Sequence, residues 1–257
     1  MPTLPLPNGL SLTLKSAQQA GCARFIAREV FQRGVYIRPG FEIRPEDVIV
    51  DIGANAGVFA LWASPMASRG RVICIEPTAV IECLEQSIRQ NQLTNVTPIR
   101  CAISSSPGTL ELTEYPGFNA VTHASEFQPA QWGQFFIKLL WRQHTAEPIR
   151  TSCVCRTLED VLDEQSVATI DLLKVDCEGS EYAIFESISD ECLSRVSKIV
   201  MEFHELHASH DHRILVQRLQ KAGFDVDVRR TLVERMFLKT GMIWAIRRQS
   251  HAMEPDA

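Results

Sequence analysis

Apolar runs of strand length recur along this chain, spaced so that one helix fits between each pair. Val48–Ile52, Arg71–Ile75, Val96–Ile103, Asp171–Val175 and Lys198–Phe203 are such runs. Helical periodicity falls between them. Val58–Ala67 follows the first run. The segment Val80–Gln92 puts Ile81, Leu84 and Ile88 on one face. Glu181–Ile188 and Arg213–Ala222 follow later, the last stopped by Gly223. Strands buried on both faces read as near-continuous apolar runs, and their alternation with amphipathic helices predicts βαβ units in a parallel sheet. Two further β-rich runs, Phe224–Arg230 and Met242–Arg247, predict a hairpin. The expected fold is α/β and Rossmann-like, a mostly parallel seven-stranded sheet with an antiparallel edge.

Two stretches break the rhythm. Residues 15–33 have helical spacing through Cys22, Phe25, Ile26 and Val30, ended by Gly34 and followed by Pro39 and Pro45. This helical arm, residues 1–44, lies outside the sheet unit and is expected to pack over the cofactor or substrate side. Within 114–150, Tyr115-Pro116-Gly117 is a turn, and Trp132, Phe135, Phe136, Leu139 and Leu140 form one apolar helical stripe. Such an insertion is either a lid or substrate wall, or a helix that covers core. Over 132–142 only Lys138 and Arg142 are charged, little for a membrane-surface helix. Thr157-Leu158-Glu159-Asp160 has a capping-box pattern, and Ser180 is placed to cap the helix from Glu181. The main domain is expected over 45–248, with a frayed polar tail over 249–257.

The chemistry gathers at strand ends. Val48–Ile52 runs into Asp51-Ile52-Gly53-Ala54-Asn55-Ala56-Gly57. Ligands of open α/β sheets bind at the carboxyl ends of strands, where strand order reverses. A dinucleotide fingerprint needs Gly-x-Gly-x-x-Gly. Here Asn55 and Val58 hold the second and third glycine positions, so that reading fails, and with it an NAD-dependent oxidoreductase. Asp51 would repel a phosphate and suits a cation, such as the amino group of a methionine moiety. The competing reading is a strand–turn–helix corner without a ligand. Glu76, ahead of Pro77 and 23 residues after Gly53, stands where an acid holds ribose hydroxyls. Ala102 stands near the adenine position. Asp176, Glu178, Glu202 and His204 follow at or just past later strands.

Asp51-x-Gly53-x-Asn55-x-Gly57 resembles motif I of class I methyltransferases that use S-adenosylmethionine. Lys174-Val175-Asp176-Cys177-Glu178-Gly179-Ser180-Glu181 resembles the Lys-x-Asp-x-Glu-Gly-x-Glu stretch of the FkbM methyltransferase family. With Glu76-Pro77 and Glu202-Phe203-His204 in family order, the resemblance covers residues 45–205. It implies a class I methyltransferase fold, S-adenosylmethionine as donor and O-methylation of a small molecule, sugar or polyketide-type secondary metabolite. Cofactor residues would be Asp51, Gly53, Asn55, Gly57, Glu76, Pro77, Ala102 and Asp176. The departures are Cys177, where Val or Ile is usual, and Thr78, where Asn or Asp is common.

An alcohol is a poor nucleophile, so a base must accept its proton during methyl transfer. His204 is the candidate, with Glu178 or Glu202 orienting its imidazole and Asp176 beside them. Glu202 and His204 share a face if the segment is a strand. The alternative is a divalent ion, such as magnesium, held by Asp176, Glu178 and His204. His207, His210 and His212 read as a solvated approach to the next helix. A second functional reading keeps the fold but not the chemistry: a non-catalytic module that docks a partner or carrier. The acceptor is a small molecule, free or carrier-bound.

Composition narrows this further. A chain of 257 residues suits one α/β domain, and a net charge of −5 speaks against nucleic acid. No apolar run is long enough for a membrane span, and the first ten residues lack a signal-peptide pattern, so a cytoplasmic location is expected. Eight cysteines occur without a Cys-x-x-Cys and read as reduced core residues. Oligomeric state is not encoded in any of these patterns.

Overall fold

The computed structural model describes residues 1–114, 123–124 and 149–248. The arm carries a hairpin of β1 (Thr3–Pro5) and β2 (Ser11–Thr13), then α1 (Ala20–Ala27), which widens into a π-helix over Arg28–Arg33. There follow β3 (Val48–Ile52), α2 (Val58–Ala63), β4 (Arg71–Ile75), α3 (Ile81–Gln90) and β5 (Val96–Ile99). Next come four strands, β6 (Ala102–Ile103), β7 (Gly108–Glu114), β8 (His123–Ala124) and β9 (Ile149–Arg156). The chain closes with α4 (Leu158–Glu164), β10 (Ile170–Val175), α5 (Glu181–Ser187), α6 (Asp190–Ser194), β11 (Val196–His204), α7 (His212–Lys221), β12 (Phe224–Arg229) and β13 (Thr240–Arg247).

Seven strands form the main sheet in the order β12-β13-β11-β10-β3-β4-β5. The five from β11 to β5 are parallel, and β13 is antiparallel to both of its neighbours, as the sequence pattern predicts. The chain starts at β3, winds outward to β5, then returns to β10 on the other side of β3. Strand order therefore reverses between β3 and β10, where an α/β sheet opens a crevice for ligand.

Side-chain alternation divides the core. One face, carrying Val50, Leu173, Val175, Ile199 and Phe203, packs on α4 to α7. The other, carrying Ile49, Val72, Leu172 and Val200, packs on α2, α3 and the N-terminal arm through Leu12, Val30 and Phe41. Asp51, Lys174 and Glu202 continue this second set by two residues, so they stand on the face the arm covers.

Several expectations are corrected. The strand expected over Val96–Ile103 ends at Ile99, and Ala102 pairs instead with Cys155 in a second sheet of order β6-β9-β7-β8. Pro98 cannot extend a ladder outward and is tolerated because β5 is an edge. Leu112, Cys153, Cys155 and Ala102 form this sheet's small core, a pattern too short to stand out in the sequence. The helix expected over 132–140 and the tail over 249–257 lie outside the described residues. Helix α2 ends at Ala63 rather than Ala67 because Pro65 has no N–H to offer Leu61. Asn8 Nδ2 donates to that Leu61 carbonyl instead, at 2.8 Å. In α1, Phe25 is exposed, and Cys22, Ala23 and Ala27 supply the inward face. The cysteines among the described residues are free thiols, all but Cys177 buried.

The arm is fastened to α3 by polar contacts. Ser87 Oγ accepts from the Thr13 N–H at 2.8 Å and donates to the Cys83 carbonyl at 2.7 Å, and both residues are buried. Asn91 pairs with both backbone groups of Ser11, at 2.9 and 2.7 Å. Ser87→Ala strands a buried N–H and is expected to cost about 1–3 kcal/mol. Urea denaturation checks this: the midpoint falls while the slope holds, and an unchanged midpoint refutes the fastening.

Candidate active site

The turn after β3 is built on two glycines. Gly53 has φ +81°, and a β-carbon there would lie 1.8 Å from the Asp176 carbonyl oxygen. Gly57 has φ +95°, and its β-carbon would meet Leu84 of α3 at 2.4 Å. Backbone contact bars a side chain at Gly53, and the positive φ favours glycine at both places. The loops following β3 and β10 are thereby pressed together at the point of strand-order reversal.

Asp51 and Lys174, paired in register across β3 and β10, are the buried charges at this junction. Lys174 Nζ lies 2.9 Å from Asp51 Oδ1 and donates to the Gly53 carbonyl at 3.0 Å, with Asp176 Oδ2 at 3.8 Å. Burial alone would pull the Lys174 ammonium down, but the neighbouring carboxylates of Asp51 and Asp176 hold it well above its usual range. Burial pushes the Asp51 carboxyl up, against the pull of Lys174. Asp51 is thus met by an internal cation and is fully buried, rather than open to a ligand's amino group as the sequence suggested.

Glu76 ends β4, and its carboxylate ties two loops together. Oε2 accepts from the Asn55 N–H at 3.0 Å; Oε1 accepts from the Thr78 N–H at 3.0 Å and from the Thr78 hydroxyl at 2.7 Å. Burial raises its pKa, and these bonds work against the rise. Thr78, a departure from the family pattern, thus supplies two of the three bonds to Glu76. Pro77 is half-buried between the two.

The third group surrounds His204. Its Nδ1 lies 3.0 Å from Oε1 of the fully buried Glu181. Glu181 also accepts the N–H groups of Cys177 and Gly179, both at 2.9 Å. It therefore does the N-terminal work expected of Ser180, whose side chain makes no cap. The residue that orients the imidazole is Glu181, rather than Glu178 or Glu202. Those two face the other nitrogen, with Nε2 at 3.6 Å from Glu178 and 4.0 Å from Glu202. Burial alone would lower the His204 pKa, but Glu178, Glu181 and Glu202 push it well above its usual value. Burial raises Glu178 to about 8 and Glu202 to about 7, with Asp176 adding to both.

Ligand atoms of Asp176, Glu202 and His204 lie within 4.8 Å of one another, a set that takes Glu202 in place of the Glu178 expected for a metal. Ala102 stands in the second sheet, past the end of β5. The later histidines are not all solvated. His210 stacks on Tyr182 at 4.2 Å, and His212 stacks on Phe203 and bonds Glu205 at 2.8 Å. Sequence reasoning gave no role to Lys174 or Glu181. A signal existed: a lysine inside an apolar strand needs a buried partner.

Comparison with known proteins agrees with this geometry. The family model described as Methyltransferase FkbM domain matches residues 51–226. A relative from Streptomyces tacrolimicus, 31-O-demethyl-FK506 methyltransferase FkbM, is 32% identical over 241 residues, spanning 87% of this chain and 89% of that protein. AMB antimetabolite synthetase AmbE of Pseudomonas aeruginosa is 27% identical over 229 residues, 80% of this chain but 11% of that protein. The crystal structure of methyltransferase FkbM from Methylobacillus flagellatus KT shares the fold with a TM-score of 0.52 at 16% identity, over 83% of this chain and 46% of that one. The strand order, the glycine turn and the matched motifs together show that this chain belongs to the FkbM family of methyltransferases and has the class I methyltransferase fold.

Proposed function

We propose that this chain is an S-adenosylmethionine-dependent O-methyltransferase acting on a hydroxyl of a small molecule, sugar or polyketide-type secondary metabolite, free or carrier-bound. One observation carries the reading: Asp51–Lys174–Asp176 and Glu178–Glu202–His204 meet at adjacent strand ends, at the point where strand order reverses. Its surplus of carboxylates suits a cationic donor. The relative named for 31-O-demethyl-FK506 supports oxygen as the acceptor atom. A module that only docks partners would have no use for a histidine ringed by three carboxylates.

When bound, the donor supplies an electrophilic methyl group on its sulfonium. The residues present fit it. The Gly53–Gly57 turn brings backbone close, and Glu76 keeps one lone pair on Oε2 for a ribose hydroxyl, the other three sites being used. Asp51 acts at one remove, by holding Lys174. Ala102 drops out of the binding set with its strand. Glu202 accepts the proton of the acceptor hydroxyl in place of the His204 expected from the sequence, which its carboxylate neighbours hold protonated; a base is most effective when its pKa lies near the working pH. His204, locked by Glu181 and charged, faces Glu178 and Glu202 and keeps this acidic cluster compact. A divalent cation on Asp176, Glu202 and His204 would occupy the same oxygens and Nε2, so a chelator separates the two schemes.

Titration calorimetry with S-adenosylhomocysteine is expected to show binding by the wild type, and retention of that affinity in His204→Ala within about threefold. Methyl transfer in Glu202→Gln, which removes the base, should fall by roughly 10²-fold or more, and wild-type transfer should survive EDTA. A wild type that binds no S-adenosylhomocysteine ends the donor assignment; full turnover in Glu202→Gln ends the site assignment. The pH dependence gives a separate check. Transfer should rise as pH passes through about 7, and Glu202→Gln should erase that limb. Stability should move oppositely. Glu178, Glu202 and His204 bind protons more tightly when folded, so their contribution is full at low pH and is lost as pH climbs through about 7 and about 8. Melting temperature should fall between pH 5 and 8.5, less steeply in Glu202→Gln; equal slopes contradict the assignment.

A further inference from the structure

Tyr36 comes from the arm, outside every motif, yet it is buried on the face of the sheet that bears Asp51, Lys174 and Glu202. Its ring meets Phe59 edge-on at 5.1 Å, and the Lys174 ammonium lies 5.9 Å from the centre of that same Phe59 ring. Phe59 is in the first turn of α2, directly after the glycine turn. The phenol stands in the field of Lys174, Asp176, Glu202 and Asp51, and burial keeps it neutral, so it remains a hydrogen-bond donor. The segment is pinned nearby. Arg38 pairs with Asp227 at 2.7 Å and lies 5.1 Å from the Trp244 ring and 5.8 Å from Phe41.

Lys174 is the buried cation beside the turn. Lys174 has three N–H groups. The Gly53 carbonyl takes one, Asp51 stands 2.9 Å away as an ion pair, and Asp176 at 3.8 Å is beyond hydrogen-bond reach, which leaves at least one. An amino-acid zwitterion needs an acceptor for its ammonium and donors for its carboxylate. Asp176, a quarter exposed, supplies the first. We infer that Tyr36 is a further cofactor-binding residue, its hydroxyl joining a remaining Lys174 N–H to hold the carboxylate at the amino-acid end of the methyl donor. The assignment rests on the donor reading above and adds to it a contact from the N-terminal arm.

The test compares two ligands on the full chain by calorimetry: S-adenosylhomocysteine, and methylthioadenosine, which lacks the amino-acid end. Tyr36→Phe keeps the ring and its contact with Phe59 while removing the hydroxyl. It is expected to bind S-adenosylhomocysteine about tenfold or more weakly and methylthioadenosine within twofold of wild type. Equal affinity of wild type and variant for S-adenosylhomocysteine overturns the inference, as do equal losses for both ligands, which would mark a structural role. The wild type alone gives a second measurement. Esterifying the carboxylate of S-adenosylhomocysteine should weaken binding at least tenfold, and an ester bound as well as the acid overturns the assignment. A wild type that binds methylthioadenosine but no S-adenosylhomocysteine also overturns it while sparing the nucleoside site; one that binds neither removes the donor reading itself.

Discussion

The buried contact between Lys174 and Asp51 is the constraint on which the rest of the site depends. It lies across β3 and β10, the two strands flanking the reversal of strand order, and both charges are out of water. Such a pair gains little net stability, because desolvation offsets most of the attraction, but removing one partner costs about 3–5 kcal/mol. Its value here is positional. The same ammonium holds the Gly53 carbonyl, and Gly53 is pressed against the Asp176 carbonyl. One cation thereby fixes the glycine turn, the loop after β10 and the first acid of the cluster around His204 relative to each other.

The remaining carboxylates divide by what they bond. Glu76 and Glu181 are spent on backbone N–H groups and on one neighbour each, Thr78 and His204. They set shape. Glu178 and Glu202 keep partial exposure and raised proton affinity. Sharing a site with like charges makes ionisation of each harder, which brings carboxyl groups into the range where proton exchange at neutral pH is easy.

Much of this was legible in the chain. The seven strands, the antiparallel hairpin and the acids at strand ends follow from apolar runs and from what interrupts them. What stayed hidden has physical reasons. Cys153 and Cys155 alternate with exposed residues over too short a span to signal a strand, so the second sheet and the displacement of Ala102 went unread. The substitution of Glu181 for Ser180 as the cap depends on a left-handed Glu178 and Gly179, which no spacing rule reveals. That Asp51 faces a lysine inside the protein requires the register of β3 on β10, a long-range pairing. Tyr36 lies 138 residues from Lys174 in sequence (174 − 36), and nothing local connects them.

The position of β13 has a consequence for how the molecule comes into being. It follows both β11 and β12 in the chain, yet it is inserted between them. Until residues 240–247 emerge from the ribosome, the strand carrying Glu202 and His204 has one bare flank of unpaired N–H and C=O groups. Such a flank is a template for pairing with another chain. Pairing of the strand that bears Glu202 and His204 and concealment of its bare edge thus become one event.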